Sequence, residues 1–154
     1  MLKALQTLTR GIWRRLPQKV RVLSVRVSQT TFTVSATAII LNDEKQVLLL
    51  DHVLRPNSGW ALPGGFLQSN ELAHEALRRE ISEEIGLNAT DLRVLFVNTH
   101  RRHVEIFFEV KAEGEAKVGS REIIGYRWFE VMDLPPNMSV IQRQLIEDLY
   151  KGDV

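Results

Sequence analysis

The stretch from Leu62 to Leu87, LPGGFLQSNELAHEALRREISEEIGL, limits the possible folds more than any other part of the chain. At about 100° per residue, Ala73, Leu77, Ile81 and Ile85 fall on one helical stripe, and that stripe must be covered by other apolar surface. Ser69 or Asn70 is placed to cap the helix, Glu71 suits the positive end of its dipole, and Gly86 offers the left-handed residue that ends it. The pattern predicts a helix over residues 70–85. Glu80, Glu83 and Glu84 share the adjoining face, where like charges three and four positions apart repel. Two answers to that repulsion are open: a solvated face balanced by Arg78 and Arg79, or a hard divalent cation such as Mg2+ or Mn2+ held through oxygen.

The stripe's cover is expected from extended segments on either side. From Arg21 onward the pattern reads as extended. TFTVSATAIILN and KQVLLLDHV flank the turn signal Asn42-Asp43-Glu44 and read as a hairpin. LRVLFVNTH and VEIFFEVKA form a second pair, and GYRWFEV a further strand closed by Leu134-Pro135-Pro136. From Asn137 to Tyr150, Ile141, Leu145 and Leu149 recur every fourth residue, as in a helix lying on a sheet. Strands covered by helices predict an α/β sandwich with a mixed sheet, and 154 residues leave room for one such domain over 21–154.

Residues 1–20 stand apart. The first 42 residues carry Lys3, Arg10, Arg14, Arg15, Lys19, Arg21 and Arg26 and no acid, a charge of +7, whereas the remainder balances to −6. Leu2, Leu5, Leu8, Ile12, Trp13 and Leu16 recur at near-helical spacing until Pro17, so a short amphipathic N-terminal helix is predicted. Packing on the domain is the favoured role for its stripe, with a membrane surface, a docking partner or an organellar leader as less favoured ones. Scattered bases with little aromatic interleaving argue against nucleic acid. No run of eighteen apolar residues predicts a membrane span. Cysteine is absent, which rules out thiolate metal sites and suits a cytoplasmic location.

The acid cluster does not stand alone. Gly65, five residues, Glu71, seven residues, Arg79-Glu80, Ile81, one residue, Glu83-Glu84, one residue, Gly86 and Leu87 make a fixed pattern that resembles, position for position, the signature of the Nudix hydrolases. The resemblance implies a Nudix α/β/α sandwich and a Mg2+- or Mn2+-dependent pyrophosphohydrolase. Such an enzyme cleaves the diphosphate linkage of a nucleoside diphosphate joined to another group. It implies that Glu80, Glu83 and Glu84 bind metal with the Gly65 carbonyl, that Glu83 holds or deprotonates the attacking water, and that Arg79 orients Glu71 and its neighbours. Gly64 and Gly65 permit close backbone approach. Some members recruit a further glutamate, for which Glu122 stands in place and Glu105 is second.

Substrate contacts are expected from Arg101 and Arg102 between two strands, from Arg55, and from Trp60 or Phe66 against a base; for each, a plain surface or packing role is the competing reading. The downstream window Arg101-Arg102-His103-Val104-Glu105 carries neither the proline of ADP-ribose hydrolases nor the tyrosine of dinucleoside polyphosphate hydrolases. The partner implied is a small nucleotide, and a homodimer is compatible with the family. A non-catalytic nucleotide-sensing module on the same fold is the alternative, though sensing modules commonly lose acids that are all present here.

Overall fold

A computed structural model describes residues 2–54 and 59–150, and the chain divides into two units, Met1–Phe32 and Thr33–Val154. The regular structure of the first unit is purely helical: α1 spans Leu2–Arg15 and α2 spans Gln18–Ser28. The amphipathic helix expected before Pro17 is therefore present. The extended reading from Arg21 is corrected, because residues 18–28 are helical and no described strand pairs with them. A lone strand would leave its amides unanswered, whereas a helix satisfies them internally. Of the α1 stripe, Leu2, Ile12 and Trp13 are exposed and Leu16 is half-buried; the side chains of Leu5 and Leu8 lie outside the described residues. No described helix is long and apolar enough to cross a membrane.

The second unit contains strands β1 (Thr33–Ile40), β2 (Val47–His52), β3 (Trp60–Ala61) and β4 (Gly64–Phe66), then helix α3 (Ala73–Ile85). Strands β5 (Asn88–His100), β6 (His103–Glu113) and β7 (Ile123–Phe129) follow, then helix α4 (Val140–Tyr150). One sheet has the order β4-β1-β6-β5 and is mixed, with β1 parallel to β6 and antiparallel to β4. A second, antiparallel sheet has the order β3-β2-β7.

The expected hairpin between β1 and β2 is corrected by this topology. Asn42 and Gln46 do close a turn, but after the single bridge Leu41↔Val47 the two strands part into different sheets. Both are buried on both faces, so each takes a central place with neighbours on either side rather than pairing with the other.

Period-two alternation splits the apolar residues between two layers. Ala36, Ala38, Leu48, Leu50 and Phe108 point to the core that contains Leu77, Ile81 and Ile85 of α3. Ile39, Val47, Leu49 and Phe107 point the other way, to the core that contains Ile146 of α4. Helices thus cover both faces, the predicted α/β/α arrangement. Helix α3 begins later than expected: Leu72 is its cap residue, its N–H donates to Glu75, and Asn70 sits before it with φ 66° in a tight turn. Gly86 ends the helix at φ 71°, donating its N–H to the Ser82 carbonyl, in agreement with its place in the sequence pattern.

Candidate active site

The β4 strand lays Gly64, Gly65 and Phe66 antiparallel against Thr37, Ala36 and Ser35 of β1. This brings the glycine backbone against α3, where the Gly64 N–H donates to Glu84 Oε2 at 3.0 Å. A Cβ on Gly65 would fall within the space of the Glu80 carboxylate. Glu80 and Glu84, one turn apart, therefore face the glycine strand across a cleft of about 470 Å3.

Arg79 organises the acids around it. Its Nε and Nη2 donate to the two oxygens of Glu71 at 2.8 and 3.1 Å, and Nη1 donates to Glu80 at 2.7 Å and to Glu83 at 3.4 Å. Nη2 also reaches the Phe66 carbonyl at 3.4 Å, tying α3 to β4. Glu71 is fixed from its other side by the Gln68 N–H at 2.8 Å. The guanidinium, and then that amide, hold the Glu71 carboxyl below the usual carboxylate range, while Glu71 and Glu80 raise the Arg79 pKa further above its ordinary value.

The opposite wall comes from β1 and β6, whose parallel register sets Ser35 beside Glu105 and Thr33 beside His103. Thr37 Oγ1 donates to Glu105 Oε1 at 2.9 Å, and Gln142 Nε2 from α4 donates to the same oxygen at 3.2 Å. His103 is bracketed by Thr33 Oγ1 at 2.9 Å and Ser35 Oγ at 3.0 Å, with its ring edge-on to Phe66 at 5.5 Å. His52 and Glu122 complete the rim.

Of the residues singled out from sequence, the cleft gathers Gly64, Gly65, Phe66, Glu80, Glu84, Glu105 and Glu122. Glu71 and Arg79 stand behind them, and Gly86 ends the helix that carries them. Glu83 lies off the cleft, with a side chain 60% exposed. Trp60 packs edge-on against Phe129 at 5.1 Å. Arg101 and Arg102 sit in the β5–β6 turn, exposed and away from the cleft lining, with Arg101 at φ 53°. Arg55 lies outside the described residues. Ser35, Thr37, His103 and Gln142 join the cleft without standing out in the sequence. Their only signal is polarity at strand and helix positions that otherwise read as core.

These features define an α/β sandwich whose polar chemistry is concentrated in carboxylates facing a glycine strand. The chain belongs to the Nudix hydrolases: the NUDIX domain family model matches residues 31–149. It is 32% identical over 124 residues to a candidate 8-oxo-dGTP diphosphatase of Bacillus subtilis (strain 168), covering 79% of this chain and 82% of that protein. It is 28% identical over 115 residues to the NAD-capped RNA hydrolase NudC of Salmonella agona (strain SL483), covering 71% of this chain but only 45% of that protein. Among solved structures, the MutT NUDIX hydrolase of Burkholderia pseudomallei superposes with a TM-score of 0.67 at 28% identity, over 75% of this chain and 95% of that one.

Proposed function

We propose that this Nudix hydrolase is a Mg2+- or Mn2+-dependent pyrophosphohydrolase that cleaves the diphosphate linkage of a nucleoside diphosphate joined to another group. The observation that carries this reading is the juxtaposition of Glu80 and Glu84 with the Gly64–Gly65 strand, with Glu105 and Glu122 on the other rim. The donors facing the cleft are carboxylate, hydroxyl, amide and imidazole groups, a set suited to a hard cation and to no thiophilic one. Among the described residues no three acids or histidines are already gathered around one point, so binding would draw them together. Glu80, Glu83, Glu84, the Gly65 carbonyl and Glu122 would hold the ions. When bound, they supply neutralisation of phosphate charge and activation of water.

The chain's own residues do the rest. Arg79, anchored on Glu71 behind the cleft, orients the Glu80 carboxylate that lines it. Glu83, on the box pattern, takes the proton of the attacking water; Glu105, held by Thr37 and Gln142, is the further carboxylate that faces the cleft. The new bond is from water oxygen to phosphorus, the bond broken is from phosphorus to the bridging oxygen, and that oxygen leaves with the other phosphate. The names of two relatives, 8-oxo-dGTP diphosphatase and NAD-capped RNA hydrolase, support a nucleotide with a phosphoanhydride. The absence of cysteine supports a cytoplasmic setting.

The test is product release with Mg2+ or Mn2+ over nucleoside diphosphate sugars, ADP-ribose, dinucleoside polyphosphates, nucleoside triphosphates including 8-oxo-dGTP, and capped RNA. Turnover of one class by wild type and its loss in Glu83→Gln and Glu80→Gln supports the reading. Tight binding of a nucleotide without turnover would assign the chain to sensing instead.

A further inference from the structure

We propose that the N-terminal helical unit is a docking surface for an anionic lipid bilayer. All seven bases of the first 42 residues lie in this unit, together with no acid, while the remainder of the chain carries a charge of −6. The net positive charge of the chain is therefore confined to this unit. Charge alone would fit many polyanions, but the apolar side chains choose among them. Helix α2 buries none of its residues, and Leu23 and Val27 are 62% and 80% exposed. Val20, Val22 and Val25 are exposed as well, as are Ile12 and Trp13 of α1. A nucleic acid would engage the bases and leave this apolar surface in water, whereas a bilayer interface receives both kinds of group at once.

One groove within the unit shows how they are combined. Trp13 from α1 faces Arg21, Val22, Val25 and Arg26 of α2 around a space of about 450 Å3. The Nε of Arg21 is buried there without a hydrogen-bond partner among the described residues, an arrangement costly unless an acceptor arrives. A phospholipid brings a phosphate for the guanidinium and acyl chains for the valines, and Trp is at home at the boundary between the two.

The experiment uses the full chain and co-sedimentation with vesicles of phosphatidylglycerol mixed with phosphatidylcholine, against pure phosphatidylcholine. Binding at least about tenfold tighter to the anionic vesicles is expected, fading as salt rises. Arg14→Gln with Arg15→Gln, both exposed, is expected to weaken it by about thirtyfold, roughly fivefold for each base. Leu23→Asp is expected to weaken it without lowering hydrolysis of a soluble nucleotide, and the emission difference between wild type and Trp13→Phe is expected to move to the blue on vesicles. Equal affinity for the two vesicle types overturns the proposal. So does binding to single-stranded RNA that is tighter than to vesicles and indifferent to Leu23→Asp, which would transfer the surface to nucleic acid.

Discussion

Arg79 grips Glu71 through two parallel hydrogen bonds, Nε to Oε1 at 2.8 Å and Nη2 to Oε2 at 3.1 Å, across eight residues of sequence. The remaining Nη1 is then aimed at Glu80 and Glu83, so one planar fork sets three carboxylates. Lysine offers a point charge in place of that fork. Arg79→Lys is therefore expected to raise the Mn2+ concentration needed for half-maximal turnover by about ten- to hundredfold, with a far-UV spectrum unchanged. Metal titration of the hydrolase rate checks it, and an unaltered titration curve would remove Arg79 from this role.

The two glycines of β4 predict different failures. On Gly65 a Cβ meets the movable end of Glu80, so Gly65→Ala is expected to displace that carboxylate, cutting kcat by at least about tenfold with little change in Tm. On Gly64 it meets the Ala36 carbonyl, and φ is 139°, so Gly64→Ala is expected to cost roughly 1–3 kcal/mol of stability. Thermal melts beside steady-state kinetics separate them; similar Tm losses in both would contradict the assignment.

Glu105 and Glu122 occupy opposite standings at the rim, one held by Thr37 and Gln142, the other exposed. Glu105→Gln is expected to lower kcat by about ten- to hundredfold even at saturating metal, because it alters the carboxylate that Thr37 and Gln142 hold at the cleft. Glu122→Gln is expected to act on the metal requirement instead and to recover near-normal kcat at high Mn2+. Kinetics over a metal series distinguishes the two, and equal behaviour would deny them separate tasks.

Acid should loosen the Glu71 clamp in a predictable direction. The folded-state pKa of Glu71 lies below its unfolded value because Arg79 and the Gln68 amide favour the ionised form. Its contribution to stability is complete above the ordinary carboxylate range and is lost as pH falls through the lowered folded value. Tm measured from pH 7 to pH 3 should therefore fall less steeply for Glu71→Gln than for wild type. Parallel curves would show that the clamp adds nothing to folding.

Much of α3 is legible in the amino-acid sequence, since its stripe of Leu77, Ile81 and Ile85 and its terminal Gly86 depend on spacing within a single helix. The acids of the box are legible for the same reason. The far wall of the cleft is not. Ser35 meets His103 and Thr37 meets Glu105 only because β1 and β6 pair in parallel across 68 residues, a partnership that local pattern does not encode. His103, Glu105 and Ser35 do carry a trace of it, as polar residues on the inward-facing phase of apolar strands. The parting of β1 from β2 is hidden by a turn signal that is real but closes one bridge rather than a ladder. The helical state of residues 18–28 is hidden by the β-branched pairs Val20, Val22 and Val25, Val27, each spaced by two as in a strand, although no described strand pairs with them.

The parallel register of β1 with β6 also has a meaning for the time at which the enzyme comes alive. On a ribosome, Ser35 and Thr37 emerge long before His103, Glu105 and Gln142, so the carboxylates of α3 exist for a while with only one wall of their cleft. Contacts so distant in sequence form late. A half-made chain therefore displays the acids of α3 before Glu105 and Gln142 have joined them.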